Sequence, residues 1–284
     1  MMLYKYMPPS RLPVLLDRLI RFTPPGRLND PFDMRPVVVG YDSPEAVTRD
    51  LHGLRPTILK QAYESLPAAV RAEVPFDQFC EHSAHLWPDL SGAAKQFADR
   101  ECIGMWNVAL RALDAAIGVM CLAEPIDSIL MWSHYAQGHT GLALGFDSDH
   151  PFFHQSLADT PSEWGRLWPV NYSDDRPVVN LMDLRDFRIL LTKSAAWTYE
   201  REHRIFLPLS LADQVHFDGT QLIHRFLIPA DAITEVVLGS RFAFPDVDAI
   251  RAILLSNPAY KHVRLLRARP DERRFGIDVV PDEI

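Results

Sequence analysis

The chain has 284 residues, of which 48% are hydrophobic and 23% are charged, and it carries a formal net charge of −8. This composition is typical of a globular protein with enough apolar residues for a sizeable core. The net negative charge argues against a protein that coats nucleic acid in general, because phosphate binding needs clustered Lys and Arg. A local basic cleft remains compatible with this net charge.

The cysteine spacing and the hydropathy pattern indicate the cellular compartment in which we expect the protein. The three cysteines have no CxxC spacing, which favours a reducing environment over a disulfide framework. The N-terminal residues lack the apolar core of a signal peptide, and no apolar run approaches the roughly 20 residues of a membrane span. We therefore expect a cytoplasmic protein with no membrane partner.

The N-terminal region predicts a strand at "LYKY", a helix at "SRLPVLLDRLI" over residues 10–20 and a second strand at "IRFTPPG", stopped by two prolines. A turn-rich loop follows at Asn29, Asp30 and Pro31, where an Asx-Pro sequence favours a turn. Two interpretations of this loop stay open. It is a capped turn, or it forms one wall of a cleft.

Residues 43–115 differ in character from the rest of the chain. They are rich in Ala, Leu, Glu, Arg and Gln, and their apolar positions recur three or four residues apart. We predict a helical insertion over 43–115 within a single domain that spans 1–284.

The remainder of the chain predicts mainly strands. Short helices are expected over residues 125–138 and 245–256, and an amphipathic helix over 180–197. The strand segments are "IGVMCLAE", "TGLALGFD", "GRLWPVNYS", "EREHRIFLPL", "HRFLIP", "ITEVVLG", "HVRLLRA" and "FGIDVV". A helix-rich middle and a strand-rich end predict an α+β fold with a mixed sheet.

Several common sites are excluded by their missing motifs. The sequence has no GxxxxGK[ST], GxGxxG or GxSxG pattern, so a P-loop, a Rossmann site and an α/β-hydrolase elbow are not predicted. His134 and His139 lie five residues apart, and there is no HExxH pattern. His82 and His85, near Cys80, lack further ligands in register, so we expect no metal.

Two segments combine polar and aromatic side chains. In "MWSHYA", Trp132 is a core anchor or part of a pocket, while His134 and Tyr135 suit a ligand pocket. In "YEREHRI", Glu200, Glu202 and Arg204 form either an exposed strand edge with weak ion pairs or part of a site. Alternation places Glu202 and Arg204 on one face, and we expect Glu200 to face away from them.

Taken together, the motifs resemble the bacterial domain-of-unknown-function family numbered 2971. The matching segments occur in the family's order: "LYKY", "NDPF", "MWSHYAQGH" and "WTYEREHRI". The run "CLAEP" departs from a Cys-Phe-Ser-like run in the family. The resemblance covers both ends of the chain and omits approximately residues 43–115.

More distantly, the opening "LYKYMPPSRLPVLLDRLIRF" is similar to that of ADP-ribosyltransferase-like toxins and RNA 2′-phosphotransferases. Lys5 stands where those families have an NAD-contacting His, and "YERE" stands where they place a catalytic Glu on a late strand. The resemblance implies a sheet core of ADP-ribosyltransferase-like type.

That resemblance also implies roles. Glu202, and after it Glu200, would stabilise the cationic transition state of nicotinamide–ribose cleavage. NAD would be the substrate, with Tyr135 or Trp132 stacking on nicotinamide and Arg204 or Lys5 meeting the pyrophosphate. The NAD-binding candidates are Tyr4, Lys5, Tyr6, Trp132, Tyr135 and Arg204.

The leading hypothesis is therefore an NAD-dependent ADP-ribosyltransferase-like effector, a toxin or phage-defence protein, which modifies a nucleic acid or a protein. One alternative is a nuclease or phosphotransferase that uses His134 as acid–base. Another is a ligand-sensing module without catalysis. Under the leading hypothesis Lys5, Tyr135 or His134, and Glu202 converge on one cleft, and Glu202 contributes little to folding.

Overall fold

A computed structural model describes residues 1–39, 44–84, 104, 106–158, 160–180 and 187–282. The chain divides into two compact units. The first comprises Met1–Arg35, Arg111–Arg176 and Phe187–Ile284, and the second comprises Pro36–Leu110 and Pro177–Asp186. None of the helices in the described ranges has the length and apolar character that crossing a membrane requires.

The first unit contains most of the secondary structure. Its strands are β1 Met2–Met7, β2 Leu19–Phe22, β4 Ile117–Ala123, β5 Leu142–Asp147, β6 Leu167–Pro169, β7 Asn171–Ser173, β9 Thr192–Ser194, β10 Glu202–Pro208, β11 Gln214–Phe217, β12 Leu222–Leu227, β13 Ile233–Leu238, β14 Arg264–Pro270 and β15 Ile277–Pro281. Its helices are α1 Val14–Asp17, α5 Ile129–Tyr135 and α6 Phe244–Ser256.

An eight-stranded sheet forms the centre of this unit, in the order β15-β14-β13-β5-β1-β4-β10-β6. Neighbouring strands are antiparallel except β13 and β14, which are parallel and are joined through α6. Every residue of β10 is buried, as expected for a strand covered on both faces. The fold is α+β with a large mixed sheet, as the sequence predicts.

Smaller sheets flank the large one. Strands β11, β12 and β2 form a three-stranded sheet, and β7 pairs with β9 in parallel. In the β7–β9 pair, Tyr172 lies opposite Lys193. This register matters because Lys193 lies at the centre of the site described below.

In its described residues, the second unit contains β3 Val37–Val39 and β8 Val178–Asn180, which pair in parallel, together with several helical segments. Three of these segments are α2 Pro44–Glu64, α3 Ala68–Glu73 and α4 Phe76–His82. Residues 104 and 106–116 are also helical, and 111–116 of these belong to the first unit. The ring of Tyr63 packs against Phe76 and Phe79. Helices thus occupy described residues of the segment 43–115, of which residues 43, 85–103 and 105 lie outside the described ranges. The prediction of one domain with a helical insertion stays a prediction.

Two sequence-based expectations differ from the structure. The helix predicted over 10–20 is reduced to α1, which ends at Arg18 in a left-handed conformation. The helix predicted over 180–197 is wrong where the chain is described. There, a 3-10 segment Phe187–Leu191 leads into β9, and a second 3-10 segment Ala195–Glu200 follows. Pairing of β9 with β7 overrides the helical pattern of the local sequence.

Candidate functional site

A cavity of about 120 Å³ lies in the first unit, against the middle of the large sheet. Its wall comes from β1, the loop after β2, β4, α5, β9 and the entry to β10. The residues used below that line it are Tyr4, Lys5, Tyr6, Asn29, Asp33, Cys121, Tyr135, Lys193, Glu200 and Glu202. The cavity therefore brings together side chains from segments far apart in the sequence.

The entry to β10 presents two carboxylates to this cavity. The 3-10 segment ends at Glu200, Arg201 adopts a left-handed conformation with φ 40° and ψ 58°, and β10 begins at Glu202. This turn leaves Glu200 and Glu202 on the same side, where both bind Lys193. The expectation that Glu200 faces away from Glu202 is therefore wrong.

Lys193 is a buried ammonium held between the two carboxylates. Its Nζ donates to Glu200 Oε2 at 2.6 Å and to Glu202 Oε2 at 2.8 Å, and it lies 3.9 Å from Asp33 Oδ2. Although burial lowers the pKa of a lysine, the charges of Glu202 and Glu200 raise the pKa of Lys193 well above its ordinary value. Lys193 is accordingly a permanent cation at the cavity wall.

Arg204 holds the carboxylate of Glu202 in place through hydrogen bonds. Its Nε and Nη2 donate to Glu202 at 2.6 and 3.0 Å, its Nη1 and Nη2 donate to Asp33 at 2.9 and 2.7 Å, and Nη1 also donates to the carbonyl of Leu190 at 2.9 Å. These bonds use all five N–H donors of a guanidinium. Arg204 has no solvent exposure, so it has no donor left for a ligand.

The pKa values of the two glutamates are shifted in opposite directions as a result. Burial alone raises the pKa of a carboxyl, but Arg204 and Lys193 hold the pKa of Glu202 well below its ordinary value. For Glu200, burial outweighs the charge of Lys193, and its pKa is raised. Burial likewise raises the pKa of Asp33, against the charge of Arg204. Glu202 is thus held in its ionised form, whereas burial shifts both Glu200 and Asp33 toward the protonated form.

Tyr135 connects the carboxylates to the Asn-Asp-Pro loop. Its hydroxyl donates to Glu200 Oε1 at 2.6 Å and accepts from Asn29 Nδ2 at 3.2 Å. Burial and the charge of Glu200 raise the pKa of Tyr135, so the phenol stays protonated. In the same loop the amide N–H of Phe32 donates to Asp30 Oδ1 at 2.9 Å. Both interpretations of the loop hold, since it is a capped turn and also one wall of the cavity.

Strand β1 supplies the other aromatic wall. Tyr4 and Tyr6 reach the cavity, with the Tyr4 hydroxyl donating to Glu235 at 3.0 Å and the Tyr6 hydroxyl donating to the carbonyl of Pro125. Lys5 donates from Nζ to the carbonyl of Cys121 at 3.0 Å. An ammonium has three donors, so Lys5 retains hydrogen-bonding capacity at the cavity.

Cys121 also lies in the wall, on β4. Burial and the charge of Glu202 raise the pKa of its thiol. The thiol is therefore protonated at neutral pH and is a poor nucleophile.

Six of the nine candidate residues predicted from the sequence line the cavity: Tyr4, Lys5, Tyr6, Tyr135, Glu200 and Glu202. The other three lie elsewhere. Trp132 is fully buried, donates from its indole N–H to the carbonyl of Ile126 at 2.7 Å and packs edge-on against Tyr6. His134 is exposed on α5 and lies against the ring of Tyr199. Arg204 is fully buried and bonded to Glu202, and it does not line the cavity.

Sequence reasoning missed Lys193 and Asp33. The helical spacing predicts Lys193 within a helix, although the short spacing in "KSAAWTYERE" places a lysine close to the two glutamates. Asp33 closes the Asn-Asp-Pro-Phe-Asp loop, and only the tertiary contact with Arg204 shows its importance. Within the described part of the chain, no group of three or more His, Cys, Asp or Glu side chains is arranged to hold a metal ion.

Comparison with known proteins gives one family match. Residues 131–205 match the model of a family described as "Protein of unknown function (DUF2971)". The matched segment runs from α5 into β10 and includes Tyr135, Lys193, Glu200, Glu202 and Arg204. This match supports the family resemblance seen in the sequence. No curated protein and no solved structure matches the chain significantly.

Proposed function

We propose that the cavity binds NAD and that the protein is an ADP-ribosyltransferase-like enzyme, with a sheet core of that type, that cleaves the nicotinamide–ribose bond. The observation that carries the proposal is the placement of two buried carboxylates beside three tyrosines and two lysines in one cavity. Glycosidic cleavage develops positive charge on the sugar, and a carboxylate near the ribose hydroxyls stabilises that charge.

Glu200 suits the catalytic role better than Glu202. A carboxylate has about four acceptor positions. Glu202 accepts three hydrogen bonds from Arg204 and Lys193, whereas Glu200 accepts one from Lys193 and one from Tyr135. Glu200 therefore has more capacity to accept from a ribose hydroxyl, and Glu202 positions Lys193.

The remaining residues have separate tasks in this proposal. The rings of Tyr4, Tyr6 and Tyr135 offer apolar surfaces for the nicotinamide ring, and Lys5 offers an ammonium to the pyrophosphate. Trp132 acts through Tyr6 by packing against its ring. Arg204 acts through Glu202 and does not touch the substrate.

The reaction requires no reactant other than NAD and the acceptor. The bond between the ribose carbon and the nicotinamide nitrogen breaks, and its electron pair leaves with nicotinamide. The acceptor's oxygen or nitrogen forms a new bond to that carbon and releases a proton to Glu200 or to water. The products are nicotinamide and the ADP-ribosylated acceptor, or ADP-ribose where water is the acceptor.

The test is to measure NAD binding by calorimetry and nicotinamide release by chromatography for the wild type and Glu200→Gln. The substitution keeps the shape and removes the charge, so turnover is expected to fall by about 10²–10³. NAD affinity is expected to change less, because the charge acts mainly in the transition state. Glu64→Gln, a change at an exposed glutamate in the second unit, is the matched control and should leave both unchanged.

Two results would count against the proposal in different ways. A wild-type protein that neither binds NAD nor releases nicotinamide would rule out the enzyme class. Full turnover in Glu200→Gln would leave the class standing and would remove Glu200 from the catalytic role.

A further inference from the structure

A second groove of about 450 Å³ lies in the first unit, beside the turn that joins β14 to β15. Helix α5 contributes to both cavities. Met131 and Tyr135 face the first, and Ile129 faces the second. The other groove residues that matter here are Arg241, Asp271, Glu272, Arg273, Arg274 and Phe275.

The turn presents an exposed aromatic ring. Phe275 is fully exposed at the tip of the β14–β15 connection, in the sequence "DERRFG". A large apolar side chain in such a position gains nothing for folding, since it removes no surface from water. A ring in this setting is suited to stack on a flat ligand group.

The turn and its surroundings also present cations without partners. In the described ranges, the guanidinium groups of Arg241 and Arg273 have neither a hydrogen-bond acceptor nor an ion-pair partner, and both residues are exposed. Arg274 differs, because its Nε donates to Asp271 at 2.6 Å and its Nη2 lies 3.6 Å from Asp278. Glu272 is the remaining acidic side chain in the groove wall.

We propose that this groove binds a segment of single-stranded nucleic acid. Phe275 would stack on a base, and Arg241 and Arg273 would contact the flanking phosphates. Stacking on an aromatic ring combined with arginine contacts to the backbone is how single strands are held without sequence preference. The net charge of −8 disfavours such binding over the rest of the surface, which leaves the groove as a local site.

This proposal does not depend on NAD cleavage. It rests on the exposure of Phe275 and on the unpaired guanidinium groups, and none of these residues lines the first cavity. If both proposals hold, the bound strand is the acceptor to test first.

The experiment measures the binding of a fluorescein-labelled single-stranded oligonucleotide by anisotropy at salt concentrations between about 50 and 200 mM. The double variant Arg241→Ala/Arg273→Ala is expected to weaken binding and to reduce the slope of log K against log salt by about 1.4, or 0.7 for each lost phosphate contact. Phe275→Ala is expected to weaken binding about tenfold with the slope unchanged. Glu272→Gln should tighten binding, because it removes the opposing charge.

Matched controls separate these effects from general changes. Arg166→Ala removes an exposed arginine outside the groove, and Leu255→Ala removes an exposed apolar side chain that is 72% accessible. Both should bind the oligonucleotide as the wild type does. Because all of the substituted side chains are exposed, thermal melting should be unchanged for each variant.

Two binding results overturn the proposal, and one competition result does so as well. One is a wild-type protein that fails to bind the oligonucleotide at about 100 µM, the weak end of non-specific affinities. The other is unchanged binding by both the double arginine variant and Phe275→Ala, which would place any nucleic-acid contact elsewhere. Competition by a mononucleotide as strong as by the oligonucleotide would likewise reject a strand as the ligand.

Discussion

Glu200 and Glu202 are both 3% exposed and both bind the ammonium of Lys193, yet they differ in what else they bind. Glu202 also receives two hydrogen bonds from the guanidinium of Arg204, whereas Glu200 receives one from the phenol of Tyr135. The sequence predicts Glu202 as a surface carboxylate, and this is wrong because the side chain is buried. A difference between two such residues depends on contacts across the fold, which residue type and spacing do not reveal.

Substitution should separate the two residues by their effect on stability at pH 7. Glu202→Gln removes the charge that compensates Arg204 and Lys193, and breaking a buried pair in this way costs about 3–5 kcal/mol. Glu200→Gln should cost less than about 1 kcal/mol, because a carboxyl with a raised pKa is already less favourably ionised in the folded protein. Urea denaturation of the two variants and the wild type measures both values.

Each of the two variants serves as the control for the other. The same chemical change is made two residues apart, and both side chains contact Lys193. Equal losses of unfolding free energy for the two variants would contradict the assignment of Glu202 as the structural carboxylate.

At the scale of elements, the sequence predicts the strands of the large sheet well. Runs such as "IGVMCLAE" and "RIFLPL" are apolar because β4 and β10 are buried on both faces, and that burial is visible in composition. The three-residue strand β9 is not visible in this way. Lys193 on β9 lies in a stretch with helical spacing, and only pairing with β7 and the carboxylates around Lys193 hold it extended. The site was therefore predictable on β1, α5 and β10, and unpredictable on β9.

The turn at Arg201 is the element that places both carboxylates in the cavity. A residue with a side chain in the left-handed region costs roughly 1–2 kcal/mol, and a β-branched residue fits it worst. We expect Arg201→Val to lower the free energy of unfolding by about 1–2 kcal/mol. Arg201→Gly should stay within about 1 kcal/mol of the wild type, because glycine relieves the strain but increases the entropy of the unfolded chain.

Chemical denaturation measures these changes. Arg269→Val is the matched control, since Arg269 is exposed on β14, where extended backbone accepts valine. Equal stability of Arg201→Val and Arg269→Val would show that the left-handed turn places no demand on its residue. The ion pair of Arg201 with Glu124, at 3.6 Å and partly exposed, adds little to the stability change of Arg201→Val.

At the scale of the whole molecule, the buried charged side chains around Lys193 and Arg204 connect parts of the first unit that are distant in sequence. Asp33 comes from the loop after β2, Lys193 from β9 and Arg204 from β10, and their contacts are buried. The protonation of one member therefore changes the stability of the whole unit. Acid is the simplest way to disturb it without a mutation.

We expect the free energy of unfolding to fall on acidification, and Glu202 to account for part of the fall. A carboxyl whose pKa is lower in the folded state stabilises the protein above its unfolded pKa, and this stabilisation disappears as the pH falls through the folded pKa. The pKa of Glu202 is lowered from an ordinary value of 4.5 by Arg204 and Lys193 against the effect of burial, so the loss begins near that value and grows below it. Glu200 and Asp33 have raised pKa values and act in the opposite direction, losing stability as the pH rises. Lowered pKa values at exposed carboxyls such as Asp218 act in the same direction as Glu202 and remain in every variant, so the informative quantity is a difference.

Between about pH 5 and pH 3, Glu202→Gln should lose less unfolding free energy than the wild type, and Glu200→Gln should lose more. Urea denaturation across this range measures the three curves, and parallel curves would show that neither glutamate changes its pKa on folding.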